Sequence, residues 1–455
     1  MRPDYTSARL SGWGRTAPSV ARTARVEIRD LSEHLKDATG RGVILRGLGR
    51  SYGDPAQNSG GTVLTLAGSV DEVVVDEVAG VASCPAGVSL HDVLRQLVPR
   101  GWFVPVTPGT RFVTVGGAVA SDIHGKNHHF EGSFGSHVRS LRLMLADGTI
   151  RTIGPDRDPR LFWATVGGMG LTGAILDVDF NLLPIETSVC RVETTRCRGL
   201  DELLAEMSHG DEDHRYSVAW VDLQANGRRF GRSVLWRGDH ARVEELSERR
   251  RLRPLEYEPR HLASVPPLVP RAGFVNGFTS AVFNELWYRK EPRRRSTGTK
   301  PIPAYFHPLD AIGDWNRLYG RGGFVQYQFV VPFEREDALR EVVRRVVASR
   351  LASPLIVLKR FGPGNPGPLS FPMQGWTLTV DMPAARTALG PLLHDLDSIV
   401  LDAGGRHYLA KDAHTTPDSI RRGYPRLAEW MEIRREVDPD GLWQSDLARR
   451  LELVA

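Results

Sequence analysis

The residues best suited by type and spacing to do chemistry begin with the loop RGLGRSYGD, Arg46 to Asp54. Gly47, Gly49 and Gly53 leave backbone N–H groups unobstructed by Cβ atoms, and Ser51 adds a hydroxyl, so the loop suits a pyrophosphate. It is not a Rossmann loop, because Pro55 and then Gly60 and Gly61 prevent a helix from starting on schedule. A second cluster, Pro108 to Gly135, joins Gly116 and Gly117 to the small residues Ala118, Ala120 and Ser121. Small side chains over such a span let the chain lie against a flat, extended ligand. A third, Phe162 to Ile175, repeats the pattern before a strand.

Polar residues elsewhere suggest what sits beside that ligand. In GFVQYQFVV the period of two puts Gln326 and Gln328 on one face, an arrangement suited to a polyhydroxy ligand. Lys359 ends the apolar run PLIVL. Such a lysine ordinarily snorkels to solvent, whereas burial would lower its pKa and make it a base or a phosphate partner. His124 lies near His128 and His129, but without paired cysteines or an established His spacing no metal site is expected.

The elements that must position these residues read as an α+β chain. Short β-branched runs at Gly42 to Leu45, Thr62 to Leu66, Val73 to Val75, Val113 to Ala120 and Gly173 to Phe180 predict strands, with a helix over Ser89 to Pro99. Further on, Gly323 to Pro332, Leu355 to Arg360 and Trp376 to Asp381 predict the strands of a second, sheet-based domain, with a helix over Arg335 to Ser349. Between the two groups, 249–303 gathers Arg249, Arg250, Arg251, Arg253, Arg289, Lys290, Arg293, Arg294, Arg295 and Lys300 among prolines, which predicts a mobile basic loop. Composition is that of a soluble globular protein, and a net charge of +5 does not by itself indicate nucleic acid. Cys84, Cys190 and Cys197 support neither a disulfide framework nor a zinc ribbon. No signal peptide or membrane span is expected, so the protein should be soluble or peripheral at a membrane.

In order and spacing, the three glycine clusters resemble the FAD domain of the vanillyl-alcohol-oxidase-like superfamily. Over nearly the whole chain, GWGRTAPS, RGLGRSYGD, TVGGAVASDIHGKNHH, FWATVGG, FHPLDAIGDWNRLYG, LSFP and DLARRLEL resemble the decaprenylphosphoryl-β-D-ribose oxidase family. That resemblance implies a two-subdomain FAD-binding domain of the PCMH type over 1–187. It implies a substrate domain over 188–405, with an antiparallel sheet flanked by helices, and a segment 406–455 that returns to the FAD domain. It assigns FAD contacts to Arg46, Gly47, Leu48, Gly49, Arg50, Ser51, Tyr52, Gly53, Asp54, Gly109, Thr114, Val115, Gly116, Gly117, Ser121, Asp122, Ile123, His124, Ile175 and Tyr408. Some superfamily members attach FAD through a histidine just before the loop serine. Arg50 stands there in this chain, so the flavin is expected to be non-covalent.

The same resemblance places His124, Lys359 and Lys411 at the chemistry, with Tyr52, Lys126, Phe306, Gln326, Gln328, Thr377 and Thr379 around the substrate. Three pocket positions depart from the mycobacterial form of the family, which has Tyr, Asn and Cys where Phe306, Thr377 and Thr379 stand. The implied reaction is oxidation of the 2′-hydroxyl of a polyprenylphosphoryl-β-D-ribose. An NAD(P)H-dependent short-chain keto-reductase would complete an epimerisation, and a quinone or oxygen would reoxidise the flavin. Because of the departures, an oxidase of a soluble sugar, alditol or sugar lactone is the alternative. The basic segment beside Leu286, Trp287 and Tyr288 suits peripheral contact with an anionic membrane.

Overall fold

A computed structural model describes residues 5–38, 40–225, 227–291, 295–351 and 354–454. Alternation of buried and exposed positions builds three main sheets in a mixed α+β fold. Thr6–Leu10, Ser19–Val26, Thr62–Leu66 and Val43–Leu45 form a four-stranded sheet in that order, its last three strands parallel. Val74–Asp76, Val81–Pro85, Ala174–Asn181, Val138–Met144 and Ile150–Ile153 form a five-stranded antiparallel sheet. The third sheet has eight antiparallel strands, in the order Arg295–Pro301, Val189–Cys197, Ser233–His240, Tyr216–Val221, Ile356–Phe361, Gly375–Pro383, Phe324–Val331 and Arg406–His407.

Two apolar cores hold these layers. One fills the space around the two smaller sheets and includes Trp430 and Trp443 from the C-terminal segment. The other lies between the eight-stranded sheet and the helices Leu200–Gly210, Glu336–Ser349 and Leu389–Asp402. Phe324–Val331 is buried along its whole length, so its two glutamines lie in the interior, where every polar atom needs a partner.

Two expectations are corrected. Val113 to Ala120 is not a strand: Thr114 caps a short helix, Val115–Ala120, its hydroxyl accepting the Gly117 N–H at 3.1 Å. That cap outweighs the β-branched alternation of the run. The segment 249–303 is not simply a loop, because it carries the helix Gly277–Lys290 and the edge strand Arg295–Pro301, which is paired along Val189–Cys197. Arg293 and Arg294 lie outside the described residues.

The C-terminal segment ties the first glycine loop to the sheet domain. Arg450 bonds both carboxylate oxygens of Asp54, at 2.7 and 3.0 Å, and reaches Asp412 at 2.9 Å. Burial pushes the Asp412 carboxyl up, but Arg450, His414 and three donor bonds outweigh it and hold the group down at about 2, against an ordinary 3.8. A depressed carboxyl contributes stability that is present above the unfolded value and lost as pH falls from about 4 toward about 2. Arg450→Met should therefore lower thermal stability at pH 7 by about 1–2 kcal/mol, discounted for partial exposure. In melting curves recorded across pH, the gap from wild type should close in acid; a gap that does not change with pH contradicts this account of the network.

Candidate active site

Where the glycine loops face the eight-stranded sheet there is a cavity of about 1920 Å³. Common small-molecule pockets span roughly 300–1,000 Å³, so this one has room for an extended cofactor with a second molecule beside it. Its wall includes Arg46 to Tyr52 from the first loop, Gly109, Thr114, Gly116, Gly117, Ser121, Ile123 and His124 from the second, and Ile175 and Tyr408. Among the described residues, no hydrogen bond engages the backbone N–H groups of Gly47 through Ser51. Five successive free donors on a cavity wall fit the phosphates of a dinucleotide. A Cβ on Gly47 would come within 2.5 Å of the Thr114 hydroxyl, so glycine lets the first two loops meet. The Arg46 guanidinium instead braces its own loop, donating to the carbonyls of Ser11 (2.7 Å) and Ala56 (2.9 Å).

Four residues expected at the cofactor do not reach the cavity wall. Gly53 is packed so tightly that a Cβ would overlap the Asp412 carbonyl. Asp54 is held by Arg450, and Val115 is fully buried in the core. Asp122 is a buried junction that accepts from Ser133, the Gly135 N–H, Asn365 and Ser370. These four shape the loops from behind.

At the sheet side, one chain of hydrogen bonds sets the chemistry. The Thr377 hydroxyl donates to the Phe329 carbonyl at 2.8 Å and so can only accept from the Gln328 amide at 3.0 Å. This fixes the amide orientation, and the same Gln328 nitrogen donates to His124 Nε2 at 3.0 Å. His124 Nε2 is thus an acceptor, and its proton sits on Nδ1, 3.1 Å from Lys359 Nζ. With the proton on Nδ1, a neutral Lys359 amine completes the chain by accepting that hydrogen bond. The environment agrees: burial, then Lys411 and Lys126, hold Lys359 well below the usual ammonium range. Burial, then Lys359, Lys411 and His128, hold His124 well below the usual imidazole range.

Gln328 and Thr377, expected to touch a substrate, therefore stand behind the wall and set the histidine. Their neighbours Gln326 and Thr379 do line the cavity, as do Tyr52, Lys126, Phe306, Lys359 and Lys411. Gln326 donates to Asp381, which leaves its own amide oxygen buried and without a partner among the described residues. The Gln328 amide oxygen is left the same way, and each is costly unless a donor reaches it. Lys126 donates to the Tyr305 carbonyl and lies 4.3 Å from that ring's centroid; burial brings its amine down to about 7. Lys411 sits 5.2 Å from the Tyr52 ring centroid, its amine also lowered by burial, while burial raises the carboxyl of Asp381, the acid it interacts with.

Sequence reasoning missed Asp381, whose only signal is an acid ending a strand it had already located. It also missed the buried pair Arg111 and Asp310, in which the Arg111 N–H meets the carboxylate at 2.8 Å and joins the second loop to the FHPLD motif.

Comparison with known proteins gives two family models. One, described as FAD binding domain, matches residues 26–154, and another, described as D-arabinono-1,4-lactone oxidase, matches residues 378–451. A decaprenylphosphoryl-beta-D-ribose oxidase of Mycolicibacterium smegmatis is 44% identical over 99% of this chain and 98% of its own. An uncharacterised protein of Streptomyces coelicolor is 42% identical over 80% of this chain and all of its own. An L-gulono-1,4-lactone dehydrogenase of Mycobacterium tuberculosis is 22% identical over 96% of each chain.

The hydrogen-bond chain predicts a protonated Nδ1 and a bare Nε2 on a His124 ring that stays neutral well below the usual imidazole range. Nitrogen-15 spectra of histidine-labelled protein check this. Gln328→Leu should erase the tautomer preference and slow turnover about 10-fold with flavin content unchanged.

Proposed function

The chain belongs to the decaprenylphosphoryl-β-D-ribose oxidase family, and from that premise we propose that it oxidises the 2′-hydroxyl of a polyprenylphosphoryl-β-D-ribose to the 2′-keto sugar. It is an FAD-dependent oxidoreductase acting on a CH–OH group, and it holds FAD without a covalent bond. The observation that carries the reading is the cavity in which Lys126, Lys359 and Lys411 converge beside His124 and an unpartnered amide oxygen of Gln326. That combination suits a ligand with both hydroxyls and a phosphate.

When bound, FAD supplies the acceptor for the hydride that leaves C2′. The chain's own residues handle the rest. A neutral amine at Lys359 or Lys411 takes the hydroxyl proton, which a protonated lysine could not do. Gln326 accepts a sugar hydroxyl and orients the ring. Lys126, titrating near neutrality, faces the phosphate end. His124, held by Gln328 and Thr377, keeps Lys359 in place and passes no charge of its own into the cavity. Phe306 and Thr379 shape the pocket without adding an ionisable group.

The keto product calls for an NAD(P)H-dependent short-chain reductase, and the reduced flavin for a quinone or oxygen. A polyprenyl substrate also places the protein at a membrane surface, although no helix among the described residues is long and apolar enough to cross one.

A second reading, oxidation of a soluble sugar lactone, is favoured by the lactone-oxidase model over residues 378–451. Phosphate dependence separates the two. Removing the phosphate from a short-chain polyprenylphosphoryl ribose should lower kcat/KM by at least about 100-fold; equal rates on the dephosphorylated sugar, or faster ones on L-gulono-1,4-lactone, favour the second reading. Lys411→Met should cut kcat about 100-fold or more while the protein stays yellow. Nitroaromatic inhibitors that form an adduct with the family's pocket cysteine should leave this protein unlabelled, and Thr379→Cys should gain the adduct by mass spectrometry.

A further inference from the structure

The helix Gly277–Lys290 is turned inside out. A helix on a water-soluble surface buries its apolar stripe and exposes its polar one. Here the buried residues are Ser280 and Asn284, and Asn284 donates at 2.7 Å to Asp222, which is itself paired with Arg232. Phe278, Val282 and Leu286, spaced four apart and so on one face, point outward with 78%, 44% and 66% of their surface exposed. The helix start is secured by Asn276, whose side chain accepts from the N–H groups of Phe278 and Thr279. The inversion is therefore built in, with the Asn284–Asp222 bond inside the protein and the capped start holding the apolar face out.

This face adjoins the mouth of the active-site cavity. Phe283, Trp287 and Lys290 of the same helix line the cavity, together with Leu262. Leu252, Leu262, Leu268 and Phe274, from the stretch that precedes the helix, are also more than half exposed. The rim carries Arg249, Arg250, Arg253, Arg260 and Lys290 against Glu256, Glu258 and Glu291, an excess of positive charge beside a patch of exposed hydrocarbon. Apolar side chains with basic residues around them are the composition of a surface that sits in the interface of an anionic bilayer.

We propose that Phe278, Val282 and Leu286 insert into the headgroup region of an anionic membrane, so that the cavity mouth opens onto the lipid surface. A lipid-linked sugar phosphate could then enter the cavity while its tail stays in the bilayer. This rests on the polyprenyl substrate proposed above and names the surface through which that substrate arrives.

Flotation of the full-length, FAD-loaded protein with vesicles tests it. Vesicles of phosphatidylcholine with about one-third phosphatidylglycerol should bind the protein about 10-fold more tightly than phosphatidylcholine alone, the preference fading in high salt. The triple variant Phe278→Ser, Val282→Ser, Leu286→Ser should lose about 100-fold in affinity. It should keep wild-type flavin content and wild-type turnover of a short-tailed, water-soluble polyprenylphosphoryl ribose, which shows that it is folded. Equal binding by wild type and triple variant, or no binding by wild type, overturns the proposal. So does a wild-type dimer in sedimentation that becomes a monomer in the variant without any vesicle binding, which would assign the face to a second copy of the chain. Vesicle binding without turnover of the lipid sugar removes the substrate reading and leaves the surface standing; turnover without vesicle binding does the reverse.

Discussion

Removal of water from a group of basic side chains is the constraint on which the rest of this structure depends. Lys126, Lys359, Lys411 and His124 share one cavity, with Asp381 as the acid beside Lys411. In water all three amines would be charged and would repel one another. Burial makes the charged forms costly, and repulsion from Lys411 and Lys126 adds to that cost at Lys359. The amines give up their protons more readily as a result, Lys359 most of all, Lys126 at about 7 and Lys411 at about 8, and a neutral amine is what an alcohol oxidation needs to receive a proton. Every larger feature serves that dryness: glycine loops close enough to meet, a strand buried on both faces, and a C-terminal segment that returns to seal the first loop.

The hydrogen-bond chain from the Phe329 carbonyl to Lys359 converts this environment into a defined proton inventory. It uses only one backbone group, two neutral polar side chains and an imidazole, so no net charge enters the wall. On the opposite side, two sets of paired charges hold the loops: Arg450 lies between Asp54 and Asp412, and Arg111 meets Asp310. Lys411 immediately precedes Asp412, so the network that holds the C-terminal segment to the first loop also fixes where this lysine enters the cavity.

Much of this was legible in the sequence because glycine and alternation leave clear marks. The first loop could be read because close approach of backbone to ligand and of loop to loop demands residues without a Cβ, as Gly47 against Thr114 illustrates. The strands around Gln326, Lys359 and Thr379 could be read from their period of two. What could not be read is which partner a polar side chain chooses. Gln328 and Gln326 look alike from the sequence, yet cross-strand neighbours commit one to His124 and the other to Asp381. The family resemblance put Asp54 and Asp122 at the cofactor, whereas Arg450 takes the first and Asn365 and Ser370 help to take the second, all from more than 200 positions away. The helix at Val115–Ala120 was hidden by β-branched residues, its cap at Thr114 outweighing them. The inverted helix at 277–290 was hidden for a different reason: the prolines and clustered basic residues of 249–303 read as a loop, and only the fold shows a helix there and which of its side chains face outward.

The central claim, that a dry lysine-rich cavity accepts the 2′-hydroxyl of a lipid-linked ribose beside FAD, is tested most directly by a single anaerobic turnover. Purified yellow protein is mixed with a short-chain polyprenylphosphoryl ribose carrying protium or deuterium at C2′, and the oxidised flavin absorbance is followed. The account predicts loss of that band, slower for the deuterated sugar, with a 2′-keto product. A band that persists with this substrate, or bleaching at the same rate for both isotopes and without a keto sugar, would contradict it.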